Sequence, residues 1–401
     1  MRRLRYFRVL GKETGRLLNL RSLAIVGVLT VIFFFIFMEY YSDFTHGHSA
    51  YEEYAIAQRM LEEYGDEIDA DEYADFKTWL TEYEDNCEEW IVGNPTFENV
   101  GVYSYADYEE LYHRGHAAEV SNEENRAIWA LLDDECDYAR FYVQAHEEID
   151  VDYQMALDFA SNTDLIPSKQ GNPHKFAREV EYYESGEYMS VFPDAINIYT
   201  EQYLAYLAVL CVLSAMFIAA PAAVTDRITG VDNIQSSTRH GRLTAVTRLG
   251  GAVLASFAVA SAEILVATTI LFARSGCGIF WNYRMDSFMS TDRSFSATTF
   301  GEHYVGSVLI VVGLSMAASL LSCVMSSLSR SMVSVILKLV PTFIMFTFVC
   351  DGVVNYRGMF SNVLYRFTGI PCAPLLCVLL LLIGAGVVCG VYVKKELKLD
   401  A

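Results

Sequence analysis

Lysine and arginine are nearly missing from residues 39–200, where eight of them stand against 39 aspartates and glutamates. That block carries a net charge of −31 in a chain whose total is −21, so everything outside it is basic by +10 and must be read separately. So negative a surface repels phosphate backbones, and no nucleic-acid partner is expected. Cysteine is sparse there too: of nine in the chain, only Cys87 and Cys136 fall in the block. Two readings stay open for them, a disulfide in an oxidising compartment or two buried thiols. A phosphate-cradling loop is missing, because Gly11 and Lys12 form the only Gly-Lys pair and lack the upstream glycine that such a loop needs. Hydrolysis of ATP by this chain is therefore not expected. Nor does any nucleophile have a neighbouring base in a sequence context for one; the serines of "SCVMSSLSRS" read as small residues at a helix interface or turn. The chain has no internal repeat, and charge is scarce in its apolar runs, which disfavours a secondary transporter.

What is present in quantity is long apolar runs. Crossing about 30 Å of hydrocarbon takes about 20 helical residues. Six stretches qualify: Leu20 to Met38, Tyr203 to Val224, Leu249 to Ala273, Tyr304 to Met325, Met332 to Cys350 and Ile370 to Val393. The first follows a basic leader, "MRRLRYFR", as a signal peptide would, but no small-x-small cleavage site follows it and Tyr40 and Tyr41 are interfacial anchors. It reads as a span that is kept. The positive-inside rule gives orientation. With the N-terminus in the cytoplasm, 15 lysines and arginines fall on the inner side, against five in the two short outer loops (Arg274, Arg284, Arg293, Arg357 and Arg366). Both termini are then inside and the acidic block outside.

The expected fold is an all-α membrane protein: six transmembrane helices with an α-rich extracellular domain inserted between the first and second. Residues 1–22 form a cytoplasmic amphipathic basic helix, 23–38 the first transmembrane helix and 39–200 the acidic domain. Residues 201–393 are the five-helix region and 394–401 a cytoplasmic tail. On a helical wheel Arg5, Arg8, Lys12 and Arg16 share one side of the leader and Leu4, Phe7, Leu10, Leu17 and Leu18 the other, as in a helix lying on anionic membrane lipids of the inner leaflet. The acidic block shows apolar and aromatic residues at three-to-four spacing, with loops at "GNPTFENVG" and "LIPSKQGNPHKF". Its metal-like clusters fail on inspection. Asp69, Asp71 and Asp75 lack the glycine and closing glutamate of a calcium loop, and neither His46 with His48 nor His113 with His116 makes a four-ligand zinc site. The expectation is a solvated acidic face with no metal, one that would concentrate a cationic or amphipathic external ligand.

One ionisable residue sits deep in an apolar run, Glu263 in "LASFAVASAEILVATTI". It must face the bundle interior or a polar path. Lys338 is the only cation at comparable depth, but at 1.5 Å per residue the two differ by about 10 Å, so Lys338 is expected to snorkel toward its own end. Glu263 is either a protonated carboxyl bonded to Ser or Thr neighbours or part of a transport path.

The segment "TDRITGVDNIQSSTRHGRLTAVTR", residues 225–248, lies between the second and third runs. It carries Asp226, Gly230, Ser237, Thr238, Arg239, Gly241 and Arg242 in that order, with Arg248 opening the next run. In that order and placement it resembles the coupling region of type 2 ABC exporter permeases, with Asp226 where a glutamate is more usual. The wider layout is similar too: a basic leader, one span, a large outer domain and five more spans. The resemblance covers about 240 residues of the membrane part and none of the acidic domain. It implies a permease subunit whose loop contacts a separate ATP-binding subunit. It also implies that ATP and magnesium bind in that partner, with no cofactor in this chain, and that a second permease subunit completes a homo- or heterodimer. The alternative from a different class is a membrane sensor or interaction protein whose acidic domain binds an external ligand.

Overall fold

A computed structural model describes residues 2–44, 50–115, 126, 135–231, 244–290, 298–354 and 373–399. They form helices and connections, with no strand among them and an isolated antiparallel bridge between Glu67 and Ser190. In chain order the helices are α1 (Arg2–Leu17), α2 (Leu20–Phe33), α3 (Ala50–Glu63), α4 (Ala70–Phe76), α5 (Trp79–Ile91), α6 (Pro95–Glu98) and α7 (Tyr105–Gly115). They continue with α8 (Glu135–Ser161), α9 (Pro173–Ser185), α10 (Asp194–Ala219), α11 (Pro221–Ile228) and α12 (Thr244–Ser275). The last three are α13 (Phe300–Ser327), α14 (Met332–Val354) and α15 (Ala373–Leu399).

Six helical stretches are long and apolar enough to cross a membrane, and each expected run falls on one. They are Leu20–Tyr41, Asp194–Ile228, Ala245–Ser275, Phe300–Ser327, Met332–Val354 and Leu375–Lys394. The second starts nine residues before the expected Tyr203, because the polar residues of "DAINIYTEQ" continue the helix that the apolar run begins. This is the pattern of a multi-pass membrane protein.

The chain divides into two compact units. One takes in Met1–Asp43, Ile198–Trp281 and Thr298–Ala401, and so holds α1, α2 and α11 to α15 with nearly all of α10. At its centre lie α10 and α13, while α2, α14 and α15 turn most of their apolar surface outward, as helices surrounded by hydrocarbon do. Side chains and caps set the helix boundaries. Asn19 accepts the Ser22 N–H at the start of α2, and Thr299 and Glu302 form a reciprocal capping box on α13. Pro221, at the first turn of α11, separates it from α10. The N–H groups of Ala223 and Val224 in that first turn are met by Ser326 Oγ of α13 at 3.2 and 3.0 Å. Ser322 of the same helix donates to the Met216 carbonyl at 3.0 Å. Ser322 and Ser326 of "SCVMSSLSRS" thus sit at helix contacts.

The other unit takes in Phe44–Asn197 and also Asn282–Ala297, a segment outside the expected 39–200 block. Backbone bonding draws it in. Phe288 N–H donates to the Tyr188 carbonyl at 3.0 Å, Ser287 Oγ donates to the Ser190 carbonyl at 2.5 Å, and Arg284 pairs with Glu187 at 2.8 Å. Such pairing across 97 or more residues leaves no mark in local composition. The core of this unit is aromatic. On α8, His146, Ile149, Tyr153 and Ala156 form the buried line that helical spacing predicts, and Tyr73 and Phe76 of α4 stack on Tyr153 and His146. Asp69 and Glu72 make the capping box of α4, and Asp75 accepts the Tyr64 hydroxyl at 2.8 Å, so two of the three clustered aspartates serve local structure. Among the described residues no group of three His, Cys, Asp or Glu could hold a metal ion. Cys87 is buried on α5, while the side chain of Cys136 lies outside the described residues, as do His46, His48 and His116.

Candidate functional site

Two groups of polar residues in the membrane-type unit include residues that the sequence singles out. The first is the foot of the 225–248 segment. Asp226, on α11, is 4 % exposed and lies between two arginines. Arg16 Nη1 donates to its Oδ1 at 2.5 Å, and Arg248 Nη2 pairs with Oδ2 at 2.8 Å. Arg16 comes from the last turn of α1, where a cation also suits the helix dipole, and Arg248 from the first turns of α12. Arg16 further donates to the Ala222 carbonyl at 2.7 Å and pairs with Glu13 at 3.0 Å. One carboxylate thereby ties α1, α11 and α12 together. A desolvated arrangement of this kind persists only if each charge keeps its partner, so the three helices are constrained to move together here.

Packing reinforces the ion pairs. Leu17 of α1 enters an apolar cluster with Ile218, Ala219, Ala222, Leu249 and Ala252. Gly251 lets the backbones meet, because a Cβ there would lie 2.9 Å from Glu13 Cβ and 3.2 Å from the Thr14 nitrogen. Gly230, with φ +74°, ends the turn after α11 in the left-handed conformation that glycine adopts without strain. Beside it Arg227 donates to the Ser329 carbonyl at 2.9 Å, and Lys338 reaches back to the Leu328 carbonyl at 3.1 Å and Ser329 Oγ at 2.9 Å. Lys338 therefore caps the end of α13, as its expected snorkelling requires.

The second place is Glu263, 15 residues or about 22 Å of helix from Arg248. Its Oε1 accepts the Ser214 hydroxyl of α10 at 2.6 Å and the Thr30 hydroxyl of α2 at 3.0 Å. Of the two readings of this residue, the Ser and Thr partners are therefore present.

The expected site residues are distributed unevenly over these places. Asp226 and Gly230 sit at the first, and Arg16, expected to face lipid, reaches Asp226 there while keeping about a third of its side chain exposed. Arg8 and Lys12 are exposed on α1, and the Arg5 side chain lies outside the described residues. Ser237, Thr238, Arg239, Gly241 and Arg242 also lie outside them. Nothing local in the sequence marks Glu13, Thr30 or Ser214, and Arg248 reads there only as the residue opening a span. A buried arginine at the start of an apolar run was the one signal that a carboxylate had to be near. The chain matches no family model, no curated protein and no solved structure.

Proposed function

We propose that this chain is the membrane-spanning permease subunit of an ATP-driven ABC exporter, coupled through residues 225–248 to a separate ATP-binding subunit. The observation that carries this reading is the Arg16–Asp226–Arg248 junction. A cytoplasmic partner pressing on the segment between α11 and α12 acts on a foot where three helices meet at one buried carboxylate. A push there tilts two spans and the leader as one body, which is what conversion of ATP-driven closure into a membrane movement needs. Orientation follows the lysine and arginine bias, with both termini cytoplasmic and the acidic domain extracellular in the cell membrane. ATP and magnesium belong to the partner, a second permease subunit completes the route, and Glu263 borders that route. Arg8 and Lys12 on α1 face anionic lipid.

The test is an affinity pull-down of the intact protein from its native membranes, comparing wild type with Arg239→Glu/Arg242→Glu. Recovery of an ATP-binding subunit with the wild type, and its loss with the double variant, is expected. Recovery of none with either protein would overturn the reading and bring forward a sensor whose acidic domain binds an external ligand.

A further inference from the structure

The two oxygens of Glu263 have unlike surroundings. Oε1 accepts two hydroxyl hydrogen bonds, from Ser214 and Thr30. Oε2 is buried and accepts no N–H or O–H hydrogen bond among the described residues; the one further group beside the carboxyl is the weakly donating Cys211 thiol. The residue as a whole is 7 % exposed, in the middle of a bundle of apolar helices. An ionised carboxylate shares its charge equally between both oxygens, and leaving one of them in apolar surroundings without an N–H or O–H donor carries the full desolvation cost. A carboxylic acid lowers that cost, because Oε1 is then the carbonyl that accepts both hydroxyls, and a neutral O–H at Oε2 is far cheaper to bury unpaired than an anionic oxygen. The geometry also selects the ion. Oε2 has almost no accessible surface, so nothing larger than a proton has room beside it.

We propose that Glu263 is a proton-binding site in the core of the helix bundle, with the proton on Oε2 and the carbonyl held by Thr30 and Ser214. Binding takes one proton from water and turns carboxylate into acid, with no other bond made or broken. The titratable groups near it are few. Cys211 of α10, one turn from Ser214, places its fully buried thiol beside the carboxyl. From α2 comes only the Thr30 hydroxyl, and no basic side chain among the described residues pairs with Glu263. Because its bonds join α2, α10 and α12, proton occupancy and the packing of those helices are linked, each biasing the other. This inference stands on the geometry of the site alone, so it and the permease reading can fail separately.

The experiment is infrared difference spectroscopy on the full chain in lipid bilayers at neutral pH. A carbonyl-stretch band of un-ionised carboxylic acid is expected that shifts in deuterated water and is absent from Glu263→Gln. In Thr30→Val the same band should move to higher frequency, since the carbonyl loses one of its two hydrogen bonds while the acid remains. If the Glu263→Gln change removes an ionised-carboxylate band instead, or leaves the acid bands unaltered, the proposal is wrong. Should Glu263→Gln fail to fold, Thr30→Val decides alone: a shifted acid band supports the site and an unshifted spectrum overturns it.

Discussion

Asp226 is a residue whose value depends on what it leaves behind when removed. Its side chain and that of Arg248 are 6 % and 8 % exposed, whereas Arg16 is 37 % exposed. Truncating the buried carboxylate strands a buried guanidinium, a loss of about 3–5 kcal/mol, while removing the half-solvated Arg16 costs nearer 1 kcal/mol. Asp226→Ala is therefore expected to lower the unfolding midpoint of the purified protein far more than Arg16→Ala does. In the double variant the two losses should fall short of their sum, and strict additivity would deny the pairing. A second residue-scale prediction concerns pH. Glu53 accepts the Asp194 N–H at 2.7 Å, and burial, with the Asp194 carboxylate adding to it, pushes its carboxyl up to about 8. An unfolded glutamate titrates near about 4.3. Between those values the folded state holds more protons than the unfolded one, so stability falls as pH rises through that window. Burial holds His146 below its ordinary range, and its opposite effect is confined to pH below about 6.5. Melting curves between about pH 6.5 and 8 should thus show a decline in wild type. Glu53→Gln, which keeps an acceptor for the Asp194 N–H, should flatten it.

At the scale of elements, the attachment of α1 to α12 is where structure adds most to sequence. The leader's amphipathic wheel predicts a helix, and α1 is one; it does not predict what the apolar side packs against. The relevant signal, "LGG" at 249–251, looks like any small residue in a span until the neighbouring helix is known. The two glycines should respond differently to alanine. At Gly250 a Cβ meets only Leu10 Cδ1, at 2.9 Å, the end of a side chain that can turn away. At Gly251 it meets Glu13 Cβ and the backbone of Thr14, which cannot yield without moving α1. Gly251→Ala is expected to cost about 1–3 kcal/mol through overpacking. Gly250→Ala should be close to neutral, because alanine favours the helix by about 0.5–1 kcal/mol. Protease cleavage in α1 reads the difference: faster in Gly251→Ala, unchanged in Gly250→Ala. The same logic marks the limit of sequence reading more widely. Long apolar runs announce themselves by composition, and the six spans were placed to within a few residues of most of their ends. Arg16 and Asp226 are 210 positions apart, and Ser287 and Ser190 are 97, so their partnerships belong to the folded chain.

For the molecule as a whole, the uneven distribution of charge is the main argument for which way round it sits. Basic residues near spans are retained on the cytoplasmic side, whereas acidic residues contribute little to orientation. The orientation proposed above makes the −31 block a passenger whose side is set by the arginines of the leader and of the 225–248 segment, not by its own charge. A measurable outcome follows. A peptide tag inserted between Gly171 and Asn172, at the turn before α9, should be reached by antibody on intact cells, and a tag placed after Ala401 only once they are permeabilised. Converting the leader's Arg2, Arg3, Arg5 and Arg8 to glutamine should weaken the first span's preference and let a fraction of molecules retain that tag inside. Removing four glutamates from the acidic block should change nothing. If the reverse held, with the acidic block governing sidedness, the orientation on which the proposed coupling to a cytoplasmic partner depends would fall. The foot formed by Arg16, Asp226 and Arg248 would then face a compartment without ATP.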